Sequence, residues 1–242
     1  MRCMISQPTF LPWLGWFDLA DQADCVVLFD TAQFSKQSWQ QRNKIKTARG
    51  LEYLTVPVKT SGLFDQKILD AEISGVDFEK RLKNTLTQNY LPAPFFKPVM
   101  SDLEKKLPSL MKSRKLSVLN EGLIKFCFEW LNISTRLIRA SDLNINGRRG
   151  EYLANICEHF NCKEYISTEG AEEYLKEDYY FFSQREISIL IHKYEHPIYE
   201  QLSKPFIPYA SAIDLIMMYG DRSKDVMREA KRSIQPITST SI

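Results

Sequence analysis

Residues 1–30 contain two apolar runs that restrict the fold more than any other part of the chain. The first run, residues 3–6, leads into a loop with two prolines, and residues 14–23 then carry apolar side chains at helical intervals. The second run, residues 25–29, is unbroken, which is typical of a strand covered on both faces. Strand, loop, helix and strand within about thirty residues form a unit of βαβ size. We therefore expect an α/β domain with its site at the strand ends, and Asp18 and Asp21 on the solvated side of the helix.

The rest of the chain continues this pattern. Further strands are expected at residues 53–58, 68–73, 132–139, 164–167 and 187–193. Residues 78–131 hold three helical patterns and are interpreted as a helical insertion or cap, with Asp77 as the N-cap of the first helix. No repeat or linker divides the chain, so we expect one domain over residues 1–232 and a disordered tail over residues 233–242.

Charge and hydropathy exclude several classes of function. The 242 residues include 32 basic and 30 acidic side chains, a net charge of +2, so we expect no nucleic-acid partner. No apolar run reaches the roughly 20 residues that span a bilayer, and no signal peptide begins the chain. We therefore expect no membrane span and a cytoplasmic location.

The five cysteines are widely separated, and most of them lie in apolar runs. This pattern favours reduced, buried thiols over a disulfide framework. Residues 157–162 contain two of the cysteines together with His159, but no second pair of ligands has matching spacing, and we expect no metal there.

A polar segment at residues 31–46 follows the second apolar run directly. It carries four cations and no acidic residue after Asp30, and its candidate binding residues are Gln33, Lys36, Trp39, Arg42 and Asn43. The segment is either a solvated loop or an anion site, in which lysine acts as a point charge and arginine as a bidentate clamp.

Two later segments carry further candidates. Ser167, Thr168 and Gly170 follow a short strand and precede a helix, an order that suits either an anion held on free backbone N–H groups or a simple N-cap. His196 follows the last strand pattern and is either structural or an acid–base group, because histidine titrates near neutrality.

Ordered motifs cover most of the chain. They are Gln7-Pro8-x-Phe10-x-Pro12-x-x-Gly15-x-Phe17, Asp30-x-x-Gln33-Phe34-x-Lys36-x-x-Trp39-x-x-Arg42-Asn43, Leu54-Thr-Val-Pro57-Val58, Ser167-Thr-Glu-Gly170, His196-Pro197-x-Tyr199-x-Gln201 and Ser211-x-x-Asp214. In these residues the chain resembles the WbqC-like family, whose members are associated with the synthesis of bacterial O-antigen and other surface polysaccharides.

The loop at residues 9–12 also resembles that of the nucleotidylyltransferases with a His-x-Gly-His signature. That resemblance implies a Rossmann-like core with a parallel sheet and a nucleotide-shaped cleft. Trp13 and Trp16, however, stand where the two signature histidines should be, with Gly15 between them. Because indole carries no charge and donates a single hydrogen bond, nucleotidyl transfer by the usual route is not expected.

The first functional hypothesis is a transferase that places an acyl or aminoacyl group on an amino-sugar nucleotide. A sugar nucleotide or another phosphorylated small molecule is the expected ligand, enzymes of a polysaccharide pathway are candidate partners, and the sequence does not identify a cofactor. The expected catalytic residues are His196, Asp30 and Asp214. The expected binding residues are Gln7, Trp13, Trp16, Gln33, Lys36, Trp39, Arg42, Asn43, Ser167, Thr168, Gly170 and Tyr199. The alternative is a non-catalytic protein that binds a nucleotide sugar or a partner enzyme.

Overall fold

A six-stranded sheet forms the centre of the molecule in the computed structural model, which describes residues 1–75 and 77–237. Its strands are β1 (Arg2–Ser6), β2 (Cys25–Leu28), β5 (Arg136–Arg139), β6 (Glu164–Thr168), β7 (Ser188–Glu195) and β8 (Lys231–Pro236). Strands β3 (Arg42–Thr47) and β4 (Gly50–Thr55) form a separate antiparallel hairpin. The nine α-helices described are α1 (Leu14–Asp21), α2 (Phe78–Tyr90), α3 (Phe96–Lys112), α4 (Leu116–Trp130), α5 (Arg149–His159), α6 (Glu172–Glu177), α7 (Tyr179–Ser183), α8 (Ala212–Tyr219) and α9 (Ser223–Arg228).

The strand order of the sheet is β5-β2-β1-β6-β7-β8. The first five of these strands are parallel to their neighbours, and only β8 pairs antiparallel, with β7. The parallel strands follow the 3-2-1-4-5 order of a doubly wound sheet, whose direction reverses between β1 and β6. The predicted α/β, Rossmann-like class is thereby confirmed.

Alternate residues of the central strands face two separate helical layers. Met4 and Val26 point into a large core with α1, α2–α4 and α8, whereas Cys3 and Val27 point into a smaller core with α5, α6 and α7. The period of two along each strand produces this division. Because both faces are covered, the strands read as unbroken apolar runs in the sequence.

The predicted helical insertion forms α2, α3 and α4, between β2 and β5 in the chain. The helix α2 was predicted from apolar residues spaced four apart. This spacing places Phe78, Leu82, Leu86 and Tyr90 on one face of the helix, which is buried in the core. These side chains share the larger core with α1 and α8. None of the helices in the described ranges is both long and apolar enough to cross a membrane.

Three local expectations differ from the structure. Residues 233–237 are not a disordered tail, because β8 pairs with β7 and the Ile237 amide donates to the Ile189 carbonyl oxygen. The rest of the expected tail, residues 238–242, lies outside the described residues. The segment 68–73 contains isolated bridges at Glu72 and Ile73 instead of a strand. Asp77 precedes α2 as expected, but its side chain makes no capping hydrogen bond.

Candidate functional site

A cleft of about 1340 Å³ opens at the carboxyl ends of β1 and β6. Ser6 and Gln7, after β1, line one part of it, and Ser167 and Thr168, at the end of β6, line another. These strands flank the point at which the strand order reverses, where open α/β sheets bind their ligands. The cleft exceeds the ordinary range for a ligand pocket, so it has room for a ligand larger than a single sugar or nucleotide.

The loop after β1 and the first turn of α1 form one side of the cleft. Trp13 precedes α1, and a Cβ atom built on Gly15 would lie 2.1 Å from the Trp13 ring. The indole therefore lies directly over the first turn of the helix, and the glycine is required to admit it. Trp16 also lines the cleft, and its indole N–H donates to Ser6 Oγ over 2.9 Å.

His192 lies at the bottom of the cleft, where it lines the cavity although its side chain is only 1% exposed. Its Nε2 lies 2.8 Å from a carboxylate oxygen of the fully buried Asp18. The other carboxylate oxygen of Asp18 accepts a hydrogen bond of 2.6 Å from Arg232 on β8. The expectation that Asp18 is solvated is therefore wrong. The same expectation for Asp21 is also wrong, because the Asp21 carboxylate is only 7% exposed and pairs with basic residues of α9.

The pairing with Asp18 orients the imidazole of His192. Because the carboxylate can only accept, Nε2–H is the donor of this pair, and Nδ1 has no hydrogen-bond partner among residues 1–75 and 77–237. A histidine held by a buried carboxylate in this way is the usual arrangement of a general base. The cleft therefore contains a group capable of proton transfer.

The hairpin and the loop before it form a second side of the cleft. Trp39 lines it and remains 51% exposed, and Lys44 contributes a cation. Gln40 is buried and donates from its amide to Gln7 Oε1 over 2.8 Å, which connects this loop to the end of β1. Asn43 also borders the cleft, but its side-chain amide is used to hold the carbonyl oxygens of residues 10 and 11.

The segment after β6 and the start of α5 complete the cavity. Thr168 and Gly170 line it as expected, together with the exposed Arg149. Thr9, on the opposite side, also lines the cleft, and its buried Oγ1 has no hydrogen-bond partner among the described residues. Buried hydroxyl groups are normally paired, so this atom is an unpaired polar position in the wall of the cleft.

Seven of the expected site residues do not line the cleft, and four of these belong to the segment after β2 and to β3. Asp30 is buried and accepts two hydrogen bonds from Ser141, which fixes the turn after β5. Gln33 donates to the carbonyl oxygen of Phe64, and Lys36 is exposed. Arg42 stacks on Tyr53, with its guanidinium carbon 4.2 Å from the ring centroid. Asp30 and Gln33 thus have local structural partners, and Lys36 and Arg42 lie outside the cavity.

The other three expected residues that do not line the cleft are the half-buried His196 and the buried Tyr199 and Asp214. Asp214 accepts hydrogen bonds from Tyr90, Tyr199 and Gln201 at 2.8–3.0 Å. Burial raises the pKa of the Asp214 carboxyl and, together with the nearby carboxylate, the pKa values of both tyrosines. His196 does not contact Asp214 but packs between aromatic rings that include Trp13 and Tyr199. The expected catalytic set is therefore not assembled at one point.

Burial lowers the pKa of His196, and its Nε2 has no hydrogen-bond partner among the described residues. The unfolded chain binds a proton at the ordinary pKa of about 6.5, whereas the folded protein binds it only at lower pH. Between these two pKa values the unfolded state holds more protons, so stability falls as the pH falls. Below pH 6.5, His196 is expected to make the free energy of unfolding fall with pH by at most about 1.4 kcal/mol per pH unit. We expect His196→Phe, which preserves the aromatic packing, to remove this contribution.

Urea unfolding between pH 7 and pH 5 measures this slope. His159→Gln is the matched control, because it replaces a histidine that is exposed on α5. Equal pH slopes in the wild type and in His196→Phe would contradict this account of His196.

Sequence reasoning missed several residues that line or support the cleft: Thr9, Asp18, Gln40, Lys44, Arg149, His192 and Arg232. A usable signal existed for Asp18. The helical period that places Leu14 and Phe17 in the core also places Asp18 on that face, so a buried carboxylate in need of partners was predictable.

Comparisons with known proteins agree with the motifs. The model of the WbqC-like protein family matches residues 7–226. A protein of Mycobacterium tuberculosis (strain ATCC 25618 / H37Rv), described as uncharacterized protein Rv1507c, is 33% identical over 234 residues, which are 96% of this chain and 99% of that protein. No solved structure matches this chain.

Proposed function

Because the chain belongs to the WbqC-like protein family, we propose that it is a transferase of bacterial surface-polysaccharide synthesis. It transfers an acyl or aminoacyl group to the amine of an amino-sugar nucleotide. The observation that carries this proposal is the Asp18–His192 pair at the bottom of the cleft between β1 and β6. That pair supplies the one group that acyl transfer to an amine needs from the protein, a base close to the acceptor.

The reaction has a balanced proton path. The sugar amine attacks the carbonyl carbon of an activated acyl donor, such as a thioester, and forms the new C–N bond. Nδ1 of His192 takes the proton that the nitrogen loses, while Asp18 stabilises the imidazolium. Collapse of the tetrahedral intermediate breaks the bond to the leaving thiolate, which receives the proton. The general base of this proposal is therefore His192 and not His196.

The remaining lining residues suit the two halves of a sugar nucleotide. Lys44 and Arg149 provide cations for phosphate groups. Trp13, Trp39 and Tyr209 are aromatic side chains on which a base or the apolar face of a sugar can stack. Oγ1 of Thr9 adds an unpaired polar atom for a sugar hydroxyl.

The second candidate function is a non-catalytic protein that binds a nucleotide sugar or an enzyme of the polysaccharide pathway. The position of Trp13 favours it, because the indole lies over the first turn of α1, where the signature histidines of nucleotidylyltransferases would act. In that case the cleft would bind ligand, but His192 would have no role in turnover.

A thermal-shift screen of the pure protein tests binding. The probes are nucleoside diphosphates, nucleoside-diphosphate amino-sugars and acyl-coenzyme A thioesters. A ligand at 100 times its Kd stabilises the folded state by about 2.7 kcal/mol, which raises Tm by roughly 5–10 °C for a chain of this size. We expect an amino-sugar nucleotide to give such a shift, and Lys44→Ala and Trp39→Ala to reduce it.

Lys36→Ala is the matched control, because it removes a cation from outside the cleft. If Lys36→Ala and Lys44→Ala lost the shift equally, the ligand would lie elsewhere. Mass spectrometry of the bound sugar nucleotide after incubation with the acyl donor then separates the two functions. Acylation that is lost in His192→Gln supports the transferase, whereas binding without acylation supports the non-catalytic protein.

A further inference from the structure

Four of the five cysteines converge at the amino-terminal edge of the sheet, at the end opposite the cleft. Cys3 on β1 and Cys25 on β2 are paired neighbours in the strand register, and Cys162 precedes β6. The Sγ atoms of these three residues lie within 4.8 Å of one another, and all three are buried. Cys157, at the end of α5, is buried in the same core, and its carbonyl oxygen accepts a hydrogen bond from the Cys162 amide, but its Sγ atom is not one of the three that lie within this distance.

We propose that Cys3, Cys25 and Cys162, joined by Cys157 after a shift of its side chain, form a structural binding site for zinc. The geometry is close to that required. Zinc binds thiolates at about 2.3 Å in a tetrahedron, which places the sulfur atoms about 3.8 Å apart. The three Sγ atoms within 4.8 Å therefore need to move by only about 1 Å toward a shared ion.

The sulfur ligands of the cluster determine which class of metal ion it would bind. A site made of thiolates alone favours soft or borderline cations and disfavours magnesium and calcium, which prefer oxygen ligands. His159 lies on the same helix as Cys157, but it is exposed and packs against Phe160, so the site contains sulfur ligands only. Each thiol loses its proton when it binds, so zinc uptake releases protons and weakens as the pH falls.

The position of the cluster explains what the ion would do. The four ligands come from β1, β2 and the connection between α5 and β6, which are far apart in the sequence. One ion would cross-link these elements at the end of the sheet away from the cleft. A protein that binds zinc only when folded is stabilised by it, so zinc should raise the resistance of the chain to unfolding.

The test is a zinc titration of the full-length, reduced protein against a competing chromophoric chelator. We expect one equivalent of zinc per chain and an increase in Tm. Removal of a residue that only orients a ligand costs about 10–100-fold in metal affinity, so Cys3→Ser and Cys162→Ser should each weaken binding by about 100-fold or more. Cys127→Ser is the matched control, because Cys127 is a buried cysteine of the other core.

Cobalt substitution in the wild type keeps the proposal testable if a cysteine variant does not fold. Tetrahedral thiolate ligation gives strong sulfur-to-cobalt charge-transfer bands and intense visible bands. These spectra support the site, whereas weak bands typical of oxygen and nitrogen ligands overturn it. A protein that takes up no zinc after reduction, or binds it equally well in Cys3→Ser and Cys162→Ser, also overturns it.

Discussion

Replacement of Asp18 by alanine is expected to lower the free energy of unfolding by about 3 kcal/mol, because it breaks a buried ion pair and leaves its partners uncompensated. Both carboxylate oxygens of Asp18 are used, one by His192 and one by Arg232. The expected value lies at the lower end of the range for such pairs because Arg232 is 31% exposed and keeps part of its hydration. Urea unfolding at pH 7 measures the change.

Glu79→Ala is the control for this experiment. Glu79 pairs with Lys83 one turn along α2, and both side chains are about one-third exposed, so its loss should cost less than about 1 kcal/mol. A double-mutant cycle with His192→Ala tests the contact itself. Residues in one hydrogen-bonded network usually couple by about 0.5–3 kcal/mol, so simple additivity of the two changes would contradict the pairing.

Replacement of Asp214 by alanine is expected to lower the free energy of unfolding by about 3–5 kcal/mol, since each buried donor left unpaired costs about 1–3 kcal/mol. The donors are the hydroxyl groups of Tyr90 and Tyr199 and the amide of Gln201, and all three side chains are buried. Urea unfolding again provides the measurement. The expected role of Asp214 is to join α2, α8 and the segment after β7.

Tyr199→Phe is the matched comparison for Asp214→Ala. It removes one donor and leaves the carboxylate with two, so it should cost only about 1 kcal/mol. The ligand shift of the thermal screen supplies the second readout. If Asp214→Ala kept its stability but lost that shift, Asp214 would act at the ligand site, in agreement with the catalytic role expected from the sequence.

The Asp18–His192 pair and the cysteine cluster lie at opposite ends of the same sheet. The pair is at the carboxyl ends of the strands, where a ligand reaches it through the cleft. The cluster is at the amino ends of the strands, where its thiols are buried. Zinc binding would therefore stabilise the scaffold without touching the ligand, and the two proposals can be tested independently.

The sequence by itself determined the central elements of this fold. Apolar periodicity located β1, α1, β2 and the three helices of the insertion, because the period of a pattern reports which face of a local element is buried. The ordered motifs also identified the family and several residues of the cleft, among them Gln7, Trp39, Ser167 and Gly170. The pattern was insufficient for β8, whose exposed, polar residues are typical of an edge strand.

Only the tertiary structure decided which polar side chains meet. His192 lies 174 residues from Asp18, and Arg232 lies 214 residues from it, so no local spacing relates them. The same holds for the four cysteines, which are brought together by the parallel register of β1 and β2 and by the return of the chain from α5. Such contacts are determined by the order and register of the strands. Hydrophobic patterning shows which face of a strand or helix is buried, but not which side chain of another element lies against it.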